Sequence, residues 1–353
     1  MAHLFDPISF RSLILRNRIG VSPMCQYSSV DGFATDWHLV HLGARATGGA
    51  ALVIMEATAV EPIGRISPYD HGLWQDAHIE KLKQITNFIK SQGAVAGIQL
   101  AHAGRKASRS RPWEGDANIE EGQGGWSVVG ASAIAFSESF RVPHELSLAE
   151  IEKVQQLFID ATLRALKAGF QWLELHAAHG YLIHSFLSPL SNQRNDAYGG
   201  SFENRTRFLV ELAKKVRAVW PENLPMTVRF SCSDWAAGGW TIEDSVALAK
   251  VLKNEVSIDL VDCSSGGNVP HVKIPTGPNY QVPFSETIRR EAKVVTAAVG
   301  MITEAKQAEA IIREGRADIV LLARAMLRDA YWPRRAAEAL ALEPVLPPQY
   351  LRS

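Results

Sequence analysis

The stretch 147–181, SLAEIEKVQQLFIDATLRALKAGFQWLELHAAHGY, contains one complete structural step. Ser147 and Glu150 have the spacing of a capping box, and apolar residues then recur at helical intervals as far as Ala168. Gly169 supplies the stop. The run Trp172–Ala177 shows little polar alternation, as expected of a strand buried on both faces. His176-Ala-Ala-His179-Gly-Tyr181 then places polar side chains where that strand ends.

The same step repeats in both directions. Further strand-like runs are Ile19–Ser22, Ala51–Ala57, Ala94–Ala101, Met226–Phe230, Ile258–Cys263, Val294–Ala298 and Asp318–Leu322. Helical patterns occupy Ala77–Ser91, Phe202–Val219, Thr241–Lys253 and Thr303–Glu314. Eight strand–helix alternations predict an α/β chain closed into a (β/α)8 TIM barrel. Residues beyond the roughly 250 of a typical barrel go to an N-terminal hairpin, His3–Arg18, and to long βα loops. The longest, Arg105–His144, has the length of a binding loop. No repeat or composition shift divides the chain, so residues 1–353 read as one domain.

At 46% hydrophobic and 21% charged residues, the composition excludes a disordered chain. Lys+Arg 37 against Asp+Glu 37 leaves no global field for nucleic acid or an anionic membrane. Cys25, Cys232 and Cys263 are too scattered for a disulfide framework or a four-cysteine zinc site, which points to a reducing, cytoplasmic setting. The first residues lack a signal-peptide pattern, and no run approaches the roughly 18 apolar residues of a membrane span.

Barrel sites lie where the strands end. Polar or special residues at these ends are Cys25 and Tyr27, Glu56, Gln99 to Lys106, His176 to Tyr181, Arg229, Val299-Gly300 and Ala323-Arg324. Two imidazoles three residues apart can donate to one oxygen. A zinc pair is the rival reading, but no His-x-His ends the first strand, and no metal is expected; structural histidines fit the spacing equally. Gly300 and Arg324 stand where barrels commonly bind phosphate, although a turn and a surface charge would look the same. The dinucleotide, P-loop and nucleophile-elbow motifs do not occur.

Pro23-Met-Cys-Gln-Tyr27, His102-Ala-Gly-Arg-Lys106, His176-Ala-Ala-His-Gly-Tyr181, Asn195-Asp-Ala-Tyr-Gly-Gly-Ser-Phe-Glu-Asn-Arg205, Asp262-Cys-Ser-Ser-Gly266 and Ala298-Val-Gly-Met-Ile302 jointly resemble the Old Yellow Enzyme family, in its thermophilic-like branch of YqjM-type ene-reductases. The resemblance runs from Leu4 to Arg352. It implies non-covalent FMN with NADPH as reductant. Pro23, Met24, Cys25, Ala57 and Gln99 would contact the isoalloxazine, with Arg229 near its N1/O2 end. Val299, Gly300, Ala323 and Arg324 would hold the phosphate. His176 and His179 would clamp the substrate oxygen, Tyr181 would protonate carbon, and Tyr27 and Lys106 would line the substrate side.

The implied reaction is NAD(P)H-driven reduction of a C=C bond activated by a carbonyl or nitro group. The implied assembly is a homodimer or homotetramer in which Arg352 enters a neighbouring site. Pro347 and Pro348 predict an extended tail. Two other readings remain at this stage. One is a phosphosugar lyase or isomerase with Lys106 as its catalytic lysine. The other is a flavin- or ligand-binding barrel without physiological turnover.

Overall fold

Eight parallel strands close into a barrel in the computed structural model, which describes residues 1–352. They are β1 (Ile19–Val21), β2 (Leu52–Ala59), β3 (Val95–Ala101), β4 (Trp172–Ala177), β5 (Met226–Ser231), β6 (Leu260–Ser264), β7 (Thr296–Ala298) and β8 (Ile319–Leu322). Each pairs with the next, and β8 returns to β1. The outer helices are α1 (Asp36–Thr47), α2 (Ile79–Ser91), α3 (Leu148–Lys167), α4 (Phe202–Val219), α5 (Ile242–Val256), α6 (Val282–Ala292), α7 (Ala305–Arg313) and α8 (Trp332–Ala339). Ser147 caps α3 by accepting from the Glu150 N–H at 3.3 Å, as its sequence requires. No described helix is long and apolar enough to cross a membrane.

Alternate strand residues face the interior. At the lower end these are apolar: Leu52, Ile54, Val95, Trp172, Leu260, Ile319 and Leu321 share one buried cluster. The hairpin of Ile8–Phe10 and Leu13–Leu15 adds Phe10 and Leu15 to it. Phe10 meets Trp172 edge-on at 4.9 Å, so the hairpin plugs the barrel floor. Higher up the same inward positions turn polar. Gln99 pairs in register with Glu174 and Glu174 with Thr227; His176 pairs with Arg229 and Arg229 with Asp262.

Three helices lie outside the helical patterns expected from the sequence. The buried face of α1 is built from His38, His41, Leu42, Gly43, Arg45 and Ala46, while Trp37 and Val40 face outward. Its amphipathicity is inverted. In α6 a proline stands in the first turn and Ser285 is buried, and α8 is only 8 residues long.

β2 extends two residues beyond the expected Ala57, because the His71 carbonyl and the Leu73 N–H continue its ladder at Ala59. The long Arg105–His144 loop is ordered from within. Arg109 bonds Asn118 and Ser139, Arg141 bonds Ile119 and Trp126, and Val129–Gly130 pairs with His144–Glu145. The C-terminal tail is not extended throughout: Pro348–Tyr350 forms a 3-10 turn, with the Tyr350 hydroxyl 3.1 Å from that of Tyr331.

Candidate active site

Inward residues midway along β3 to β6 build a buried polar layer, the floor of the site. Gln99 Nε2 donates to Glu174 Oε1 at 2.9 Å, and Thr227 Oγ1 lies 3.3 Å from Oε2. Arg229 Nη1 donates to Ser22 Oγ at 3.1 Å, and its Nε stands 3.2 Å from Asp262 Oδ2. Burial and the neighbouring Asp262 push the Glu174 carboxyl up to about 8, against the pull of Arg229. Burial also raises Asp262, and Arg229 opposes it. Gln99 Oε1 and Arg229 Nη2 take no partner among the described residues. The floor therefore offers one free acceptor and one free cationic donor. Such a pair fits the edge of a heteroaromatic ring that alternates N–H and carbonyl groups, which is the edge a flavin presents.

His176, His179 and Tyr181 converge beside this floor. The His176 ring centroid is 5.1 Å from that of His179 and 5.0 Å from that of Tyr181, both edge-on. The Ala178 N–H donates to His176 Nδ1 at 3.3 Å, which leaves the ring proton on Nε2. Burial first, then the Arg229 cation, holds both imidazoles neutral by lowering their pKa well below the usual histidine range. The two rings are not equivalent. His179 Nε2 lies 2.7 Å from Ser264 Oγ, whereas His176 Nε2 is open.

The loop after β4 is tightly fitted. His179 has φ 61, and Gly180 has φ 74. A Cβ on Gly180 would come within 2.3 Å of the Gly267 carbonyl, so only glycine lets this loop lie on the one after β6. Lys106 Nζ donates to the carbonyls of His179 (3.0 Å) and Gly267 (2.9 Å), stitching the two loops together. It also lies 5.5 Å from the Tyr181 ring centroid, and burial lowers it to about 8.

The segment after β1 is fixed from outside the barrel. A bulge between Met55 and Ala57 takes Glu56 out of register. Its carboxylate then accepts from the Gln26 N–H and from His38 Nε2, the latter at 2.8 Å. Met24, Cys25 and Tyr27 are thereby held half-buried, with Tyr27 at φ 50 and edge-on to Trp113 at 5.7 Å. Burial pushes the Cys25 thiol up, and the Asp70 and Glu56 carboxylates add to this.

At the opposite side, Val299-Gly300 and Ala323-Arg324 leave the paired strands β7 and β8. Gly300 has φ 115, and a Cβ there would stand 2.8 Å from Gln281 Nε2. Arg324 is exposed, and burial raises the Tyr280 phenol while the Arg324 and Arg229 cations oppose that rise.

Most of the expected residues thus gather at one rim: Pro23, Met24, Cys25, Tyr27, Ala57, Gln99, Lys106, His176, His179, Tyr181, Arg229, Val299, Gly300, Ala323 and Arg324 all stand at or just past the upper strand ends. Arg352 lies exposed in the tail. The other conspicuous motif residues are braces. His102 is tied to Glu61 at 3.1 Å, and Arg105 clamps the Asn268 backbone carbonyl at 2.6 Å. The 195–205 stretch starts α4, where Ser201 is the N-cap. Sequence reasoning missed Glu174, Asp262 and Ser264 as members of the floor and clamp. The available sign was a polar residue at an inward position of an otherwise apolar strand. No group of three or more His, Cys, Asp or Glu among the described residues could hold a metal ion.

Comparison with known proteins gives a consistent result. A family model described as "NADH:flavin oxidoreductase / NADH oxidase family" matches residues 3–343. The chain is 49% identical to the NADPH dehydrogenase of Geobacillus thermodenitrificans (strain NG80-2), over 99% of this chain and 98% of that protein. It is 50% identical to the NADPH dehydrogenase of Geobacillus sp. (strain WCH70), over 96% and 94% of the two chains. A solved structure of morphinone reductase in complex with tetrahydroNAD superposes with TM-score 0.78 at 27% identity, covering 98% of this chain and 93% of the other.

Proposed function

The chain belongs to the NADH:flavin oxidoreductase / NADH oxidase family, and from that premise and the geometry of the rim we propose that it is an FMN-dependent ene-reductase driven by NADPH. FMN when bound supplies a ring that accepts hydride from the nicotinamide and delivers it to an electron-poor alkene. The free acceptor of Gln99 and free donor of Arg229 are the observation that carries the reading, because a flavin edge presents the complementary N–H and carbonyl groups. We assign the ring edge to Gln99 and Arg229, the adjoining wall to Pro23, Met24, Cys25 and Ala57, and the phosphate to Val299, Gly300, Ala323 and Arg324.

The substrate is an alkene conjugated to a carbonyl or nitro group, since only such a group can take up the charge that hydride addition creates. His176 donates from Nε2 to the oxygen that gains the charge, and His179 joins once Ser264 is displaced from its Nε2. Both rings remain neutral donors, so neither needs an acidic medium. Tyr181 is the general acid for the α-carbon. Its phenol is raised by burial, so the proton stays on the hydroxyl until the carbanion forms. Lys106 holds the loop that bears both groups, and Tyr27 lines the substrate side.

Assembly into a homo-oligomer is supported by the outward apolar side chains Val30, Trp37 and Val40, 68%, 56% and 69% exposed on one loop and helix. Arg352, exposed near the chain end, would then enter a neighbour's site. Three cysteines without a disulfide suit a cytoplasmic setting. The test is spectral. The purified protein is expected to be yellow, to bleach with NADPH, and to recover its colour on addition of 2-cyclohexenone. A colourless protein that takes up no added FMN would refute the reading.

A further inference from the structure

Glu174 takes no part in the chemistry above, yet it is wholly buried inside the barrel and touches a group that does. Its Oε1 receives Gln99 Nε2 at 2.9 Å. Strand pairing places the two residues opposite each other, so the contact is fixed by register rather than by a loose side chain. Thr227 Oγ1 completes the group: it receives Trp172 Nε1 at 3.1 Å, donates to the Leu173 carbonyl at 3.2 Å, and lies 3.3 Å from Glu174 Oε2.

The two ends of a glutamine amide are nearly the same size, and only their bonding partners decide which way it points. An acceptor beside Gln99 on the neighbouring strand draws its NH2 group toward β4 and leaves Oε1 facing away from it. This holds in both protonation states. An ionised Glu174 accepts from Gln99 at Oε1 whichever of Leu173 and Oε2 takes the single Thr227 hydroxyl proton, and a protonated one donates from Oε2 to Thr227 and still accepts at Oε1. Were the amide reversed, the floor would offer a donor where it now offers an acceptor.

We propose that Glu174 is a positioning residue that locks Gln99 Oε1 toward the barrel mouth, as the acceptor for an N–H of the bound flavin. The proposal rests on the FMN reading above. It assigns Glu174 a role through hydrogen-bond direction rather than through charge, and conservative variants separate the two. Glu174→Gln keeps an acceptor at the same reach and loses the charge. Glu174→Met keeps the size and loses the acceptor.

The experiment is a double-mutant cycle read by FMN dissociation constant and flavin midpoint potential. Glu174→Met is expected to weaken FMN binding roughly tenfold, the loss of about one hydrogen bond. Glu174→Gln should stay close to the parent in both readouts. With Gln99→Leu already present, Glu174→Met should add nothing, because its route of action is gone. Additive losses, or equal losses in the Gln and Met variants, would overturn the proposal. If the Met variant does not fold, Glu174→Asp replaces it, since a carboxylate one methylene shorter loses the reach and keeps the charge; binding equal to the parent would then refute the lock.

A readout without FMN keeps the two readings distinguishable. The side-chain NH2 protons of Gln99, identified by their loss in Gln99→Leu, should exchange slowly in the parent and fast in Glu174→Met. Unchanged exchange refutes the lock even if FMN binds. A parent that binds no FMN refutes the functional reading and, with it, the acceptor role assigned to Gln99.

Discussion

Removing the His176 side chain tests the chemistry at the point where the structure is most specific. The Ala178 N–H fixes the ring proton on Nε2, and no described residue occupies that atom. Burial and Arg229 keep the ring neutral, so the donor is present across neutral pH. A preorganised donor aimed at developing oxyanion charge is worth roughly 2.7–4 kcal/mol, or about 10²–10³ in rate. His176→Ala should therefore slow reoxidation of the reduced enzyme by 2-cyclohexenone by that factor. His179 begins differently, because its Nε2 already lies 2.7 Å from Ser264 Oγ in the free protein. Exchanging one partner for another recovers less, and His179→Ala should cost roughly tenfold. Ser264→Ala, which frees that nitrogen, should tighten phenol binding. The assay is anaerobic stopped-flow at saturating enone, with FMN content determined for every variant. A His176→Ala enzyme that reoxidises at the parental rate, with its flavin in place, would refute the donor assignment.

Further outcomes follow from the same site. Cys25→Ser should shift the FMN midpoint potential without lowering the unfolding temperature by more than a few degrees, because a hydroxyl differs from a thiol in polarisability and hydrogen bonding; an unchanged potential would make Cys25 a packing residue. The Glu174 carboxyl rises from 4.5 to about 8 on folding, so its contribution to stability is complete below 4.5 and is lost as pH rises through about 8. Thermal unfolding of the FMN-free parent should accordingly weaken over that window relative to Glu174→Gln, and parallel pH curves would contradict the shift. Deleting residues 349–353 should raise the substrate KM and lower inhibitor affinity if Arg352 enters a neighbouring site. Sedimentation of the parent as a monomer would remove that role.

The barrel was legible because its strands are short, buried runs with little polar alternation, even though β2 to β6 carry Glu56, Gln99, Glu174, Arg229 and Asp262. Helices were legible where the buried face is a long apolar stripe, and the 8 residues of α8 are too few to show one. α3 buries Ile151, Val154, Phe158 and Ala161, a plain helical stripe. α1 buries two histidines and an arginine, so its sequence gives a reader of periodicity nothing to follow. The reason lies in function: His38 must face inward to hold Glu56, and Glu56 must leave the β2 ladder to hold the segment that presents Cys25. The His176–Tyr181 cluster was visible as spacing. Its asymmetry was not, because Ser264 reaches His179 from a strand 85 residues away.

Inward parity links these cases. A barrel interior admits alternate side chains only, and the hairpin plug already dries its lower half. Polar groups at the upper inward positions mostly pair within that ring, since an unpaired buried group costs about 1–3 kcal/mol, and Asp262 Oδ1 is the exception without a partner among the described residues. Glu174 and Asp262 use up one side each of Gln99 and Arg229. What remains of those two residues, Gln99 Oε1 and Arg229 Nη2, is the unsatisfied bonding that the proposed reading assigns to the flavin. Glu174, which no motif names, and Asp262, which opens one, thus determine which atoms of Gln99 and Arg229 are left to meet a ligand.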